Sequence, residues 1–347
     1  MYFSGLFTFA LYHYYPQLRR ISTFVGLLII VAAITASSFA TTVPHLIITQ
    51  GILYGIGGSL LYFPAILFIE EWFVRRKGLA FGIMWAGTGM AGVLIPIIMS
   101  AALQRYSQPS VIRAWAIFVV VLASPLLYFV KARLPISSHH RARPFDLTFL
   151  LSPVFWIFQA GNILEGLGYF IPGIYLPTFA EKLGMSTTTG SLMIALVNGA
   201  SVAGTVLVGH LNDKLPVTTV ILILTLGATF AVFVTWGLGL SAPVLATFSL
   251  LYGLFAGGYT TCWPGMIGEV QAKSRGADSG MLFGFLAAGR GIGAVVSGPL
   301  SERLLNAGAW EGAGFAYGTA FGSLITFTGT SAALGGLGWC AKRFGWF

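Results

Sequence analysis

Two charged residues stand where this chain can least tolerate them. Glu165 lies in the run FQAGNILEGLGYF and Arg290 in MLFGFLAAGRGIG, with only uncharged neighbours for several turns on either side. Counted from Ser152, Glu165 falls about 20 Å along its helix, and counted from Gly276, Arg290 falls about 21 Å along its own, at 1.5 Å per residue. In a hydrocarbon layer of about 30 Å both are too deep to snorkel to water, so each must face a cavity or a partner. A carboxylate at that depth can take up and release a proton. A guanidinium can hold an anion through paired N–H donors, which a lysine cannot do. The two can also pair with each other and simply hold two helices together. Intramembrane ionisable groups are functional by default, so a role in function is the favoured reading for at least one of them.

Weaker candidates surround these two. Asn162 precedes Glu165 by three residues and shares its helix face. Asn198, Tyr169 and Trp263, with Tyr62, are expected either to line a pocket or to pack. Asp213 and Lys214 in the loop GHLNDKL, and Arg75 and Arg76 in RRKG, are expected to serve as gating or structural groups between helices. Glu70, Glu71 and Glu269 close apolar runs and can pair with Arg75, Arg76 or Lys273. His210 and the pair His139-His140 sit at or in loops and read as solvated rather than as ligands. There is no phosphate-binding loop, no His/Cys cluster and no nucleophile–base constellation, which argues against an enzyme or an ATP-driven pump. Cys262 and Cys340 are far apart inside apolar runs, so neither a disulfide nor a metal site is expected, and no cofactor.

The elements that must position these residues are membrane helices. The chain is 56% hydrophobic and only 8% charged, against about a quarter charged in a soluble domain. Its net charge of +9 sits in short basic clusters between apolar runs, which fits membrane topology better than nucleic acid. Full spans are expected at roughly 21–40, 44–70, 78–102 and 111–131, then at 152–180, 187–210, 216–238, 242–269, 277–303 and 313–340. Residues 1–12 are too short to cross and read as the tail of a helix. The reading is therefore an all-α membrane protein of about ten full spans and an N-terminal partial one. Residues 1–132 make one half, 133–150 a linker and 151–347 the other half. The unequal halves point to a missing opening span. Lys and Arg concentrate at alternate loops, including the linker and the C-terminus, so those face the cytoplasm.

The halves echo one another. Phe81-Gly82, Ala86-Gly87 and Gly89 match Phe283-Gly284, Ala288-Gly289 and Gly291 at an offset of 202, and Gly57-Gly58 and Pro64 match Gly257-Gly258 and Pro264 at 200. Duplication in the same sense is a transporter signature. The loop GHLNDKL is similar to the Gly-x-x-x-Asp-Arg/Lys loop of the major facilitator superfamily. WFVRRKGLAFGIMWAGTGMAG resembles a segment of its monocarboxylate-transporter-like members, and GRGIGAVVSGPLSERL their fungal branch. The resemblance implies twelve helices in two rocking halves around a central site, with alternating access. It also implies a lysine on the first span and an Asp/Arg pair on the second span of the second half. The first span is absent here, and the second reads SLMIALVNGASVAGTVLVG, without that pair. The expected activity is secondary transport of a small organic solute, an organic anion such as a monocarboxylate, with protons as the coupled partner. The protein is expected in the plasma membrane or an internal one. The alternatives are a receptor that keeps the fold without transport and an inactive fragment.

Overall fold

The structure is a computed structural model and describes residues 1–133, 146–308, 310 and 312–346. The linker residues Arg141 and Arg143 and the pair His139-His140 therefore lie outside the described residues.

In lipid every backbone polar group must be satisfied within the chain, and a helix does this locally. The apolar runs accordingly fold as α1 (Ser4–Tyr14), α2 (Leu18–Ser37), α3 (Val43–Leu46), α4 (Tyr54–Trp72), α5 (Lys77–Leu103) and α6 (Gln108–Phe129). They continue as α7 (Pro153–Lys182), α8 (Thr187–Asn212), α9 (Val217–Phe230), α10 (Ala242–Ala256), α11 (Trp263–Lys273), α12 (Ser279–Asn306), α13 (Gly322–Leu334) and α14 (Leu337–Arg343). A π-helical stretch Ile47–Leu53 makes α3 and α4 continuous, and a 3-10 turn Tyr259–Cys262 joins α10 to α11. Among the described residues nine helical segments are long and apolar enough to cross a membrane. Their outward side chains are apolar: Leu28, Val121 and Phe129 are about 70% exposed, a surface suited to lipid rather than water.

Two of the expected spans are not single helices. The tenth, read as 313–340, is broken at Gly335-Gly336 between α13 and α14. Pro264, expected to kink a span, instead sits in the first turn of α11, where its missing N–H costs nothing. Pro64, Pro96, Pro172 and Pro299 do lie inside their helices.

The chain forms two compact units. The first comprises Met1–Val74, Ile95–Phe145 and Asp278–Ala288. Its centre is aromatic, with the Phe9 ring 4.9 Å from Phe63 and 5.8 Å from Phe283. At one end Arg19 pairs with Glu71 at 2.9 Å, and the Ser279 hydroxyl donates to both oxygens of Glu70 at 2.8 Å. The second unit comprises Arg75–Leu94, Asp146–Ala277 and Gly289–Phe347. Trp236, Phe248, Phe179 and Phe321 form its core, fully or almost fully buried. Here Glu269 pairs with Lys342 at 2.7 Å. Glu71 and Glu269 thus bond cations that come from other helices rather than from the adjoining loops.

Candidate functional site

The second unit holds the site. Helices α7 and α12 can approach closely because glycines face each other: a Cβ on Gly293 would fall 2.5 Å from the Gly166 carbonyl carbon. Glu165 and Arg290, near these glycines on their helices, consequently meet. The Arg290 guanidinium donates to the Glu165 carboxylate, and the residues are 2% and 5% exposed respectively. Aromatic rings complete the surroundings of the cation. Its Cζ lies 4.4 Å from the centroid of Tyr169 and 5.7 Å from those of Phe170 and Tyr259. The ring faces carry negative potential and attract the buried guanidinium.

The break in the last span lies against this pair. A Cβ on Gly335 would stand 3.0 Å from the Glu165 Cβ, and the Tyr259 hydroxyl donates to the Gly335 carbonyl at 3.3 Å. Gly335 ends α13, where carbonyls lose their helical partners, so the tyrosine satisfies one of them. Discontinuous helices are the usual lining of a site in transporter folds.

The other expected residues fall at different distances from the pair. Asn162 is fully buried and accepts from the Trp263 indole at 3.1 Å, and Trp263 meets Trp85 edge-on at 6.0 Å. Asn198 donates to the Gly92 carbonyl at 3.3 Å and lines a cavity of about 170 Å³ together with Tyr169, Phe170 and Tyr252. Asp213 lies away from the pair. It accepts from the backbone N–H groups of Gly78 at 2.8 Å and Leu79 at 3.0 Å, the first turn of α5. A carboxylate there satisfies orphan donors and complements the positive end of the helix. Close packing accompanies it, since a Cβ on Gly82 would fall 2.5 Å from the Thr205 carbonyl. Lys214, Arg75 and Arg76 are exposed. Behind Asp213, Asn212 donates to the Thr261 carbonyl at 2.9 Å and lies 3.7 Å from the buried Cys262 thiol, while Cys340 is exposed.

Sequence reading did not single out Tyr252, Tyr259, Phe170 or the Gly335-Gly336 break. The glycine pair was the one visible signal for the break, and it was masked by a chain with 45 glycines.

The fold agrees with the comparison to known sequences. The family profile of the Major Facilitator Superfamily matches residues 4–294 and 160–334. The chain belongs to this superfamily. It is thus an integral, multi-pass membrane protein. It is 28% identical over 293 residues to the MFS-type transporter pynF of Aspergillus niger, covering 84% of this chain and 66% of that one. It is 27% identical over 284 residues to the agnestins efflux protein AgnL12 of Paecilomyces divaricatus, covering 81% and 64%. The chain thus spans about two thirds of the length of these curated relatives. The crystal structure of the human organic anion transporter MFSD10 (TETRAN) shares the superfamily fold, with a TM-score of 0.68 and 12% identity. That match covers 97% of this chain and 80% of that one.

Proposed function

We propose that this superfamily member is a secondary transporter of an organic anion, coupled to protons. Arg290 holds the anion and Glu165 carries the proton. The observation that carries the reading is the buried Glu165–Arg290 ion pair. Its charge count closes a transport cycle. With the site empty, carboxylate and guanidinium neutralise each other. An incoming anion takes the guanidinium, and the carboxylate, deprived of its counter-charge in an apolar interior, binds a proton. Empty and loaded sites are then both neutral, so neither carries an uncompensated charge through the low-dielectric interior. Asp213, with Lys214 next to it in the chain and Arg75 and Arg76 just ahead of the Gly78 N–H that it accepts from, acts at the α5–α8 contact as part of a gate. Asn162 and Trp263 fix the face of α7 that carries Glu165. The relatives' names, which include transporters and an efflux protein, support solute movement, and we place the activity in the plasma membrane.

Uptake into vesicles under an imposed proton gradient tests this. Glu165→Gln removes the carboxylate counter-charge from Arg290 in the empty site, whereas a bound anion supplies one in the loaded site. Return of the empty carrier should fail while exchange of solute persists, and accumulation should lose its pH dependence. Arg290→Lys should weaken binding, having no paired grip on a carboxylate. Unchanged proton-driven accumulation by Glu165→Gln would remove the coupling role. If the pair is merely a helix clamp, single changes lower protein abundance and the double change to uncharged residues restores both abundance and transport.

A further inference from the structure

The transported anion has a second end, and the cavity beside Tyr169 bears on what it is. Resting on the anion reading above, we infer that the solute is an aromatic carboxylate whose single ring occupies this cavity. The volume is about 170 Å³. An apolar cavity of about 150 Å³ accepts benzene, so the space suits one ring. The walls are flat. Tyr169 and Tyr252 present near-parallel rings, 24° apart in plane with centroids 6.4 Å apart, and Phe170 adds a third ring. Ile194 and Val197 contribute aliphatic surface.

Hydrogen-bonding capacity is sparse, and part of it is already used. The Tyr252 hydroxyl donates to the Tyr169 carbonyl at 3.1 Å, and the Asn198 amide donates to Gly92. A sugar or other polyol entering here would leave several hydroxyls desolvated and unpaired, each at a cost of about 1–3 kcal/mol. An aromatic ring asks for none. Tyr169 is the partition between the two parts of the site. Its ring lies on the Arg290 guanidinium and the residue also lines the cavity. A ring held in the cavity therefore sets its carboxylate beside the partition, within reach of the cation once Tyr169 turns aside.

Calorimetric titration of the purified chain in detergent at neutral pH tests the inference with two ionised carboxylates of nearly equal size, benzoate and cyclohexanecarboxylate. Benzoate is expected to bind about threefold to tenfold more tightly, the gain that ring–ring contact adds to burial. Tyr252→Leu should bring the two affinities together, whereas Tyr252→Phe, which keeps the ring and loses the hydroxyl, should preserve the ratio. Because the readout is a ratio, a general loss of active protein does not mimic the result. Equal binding of both acids by the unaltered chain overturns the aromatic assignment and leaves the anion site standing. Binding of neither overturns the anion reading and this inference with it.

Discussion

Glycine has two distinct meanings at single positions of this chain. Gly293 faces the Gly166 backbone, with no room for a side chain, and the Glu165–Arg290 contact depends on that approach. Gly293→Leu should push α7 and α12 apart and lower stability by about 1–3 kcal/mol, as overpacking does, read as a fall in the thermal unfolding midpoint in detergent. Gly87 belongs to the same kind of small-residue ladder, yet a Cβ there meets nothing within 4 Å. Gly87→Ala should leave the midpoint unchanged or raise it slightly, since alanine favours the helix and restrains the unfolded chain. The two buried charges were legible in the sequence because ionised groups deep in apolar runs have few physical explanations. Their ring partners were not, because Tyr252 and Tyr259 look like any aromatic residue of a membrane helix until the backbone sets their direction.

At the level of helices, the repeated halves solve one problem in two ways. Both α5 and α12 follow basic loops, and each begins with backbone N–H groups that need acceptors. For α5 the acceptor is Asp213, from the loop after α8. For α12 it is that helix's own Asp278, which accepts from the Met281 N–H at 2.9 Å and lies 3.5 Å from the His13 ring nitrogen Nδ1. At the offset of 200 His13 falls opposite Asp213, so the borrowed carboxylate of one half is replaced by a local carboxylate and a histidine in the other. Removing either cap should cost about 1 kcal/mol. Hydrogen exchange should locate the loss: Asp213→Ala should speed exchange at Gly78 and Leu79, and Asp278→Ala at Met281. Exchange rates unchanged at those amides would refute the capping roles. The hydropathy pattern revealed the helices themselves, because lipid demands long apolar runs. It did not reveal that α13 stops at Gly335 beside Glu165, since apolar length measures the depth a segment can cross and is blind to whether its backbone is continuous.

For the whole molecule, the segregation of basic residues predicts which loops face the cytoplasm. A glycosylation acceptor inserted within 133–150 or after Trp346 should remain unmodified, and one placed between α5 and α6, near Gln104, should be modified in cells. The reverse pattern would invert the assignment. The two cysteines offer a way to follow the same molecule in motion. Cys340 is open to solvent or lipid, whereas Cys262 is sealed beside Asn212 at the start of α11. The unmodified chain therefore carries its own clock. A thiol reagent should consume Cys340 at once and Cys262 only as fast as the interior breathes, and a solute that locks the helices closed should slow that second phase alone.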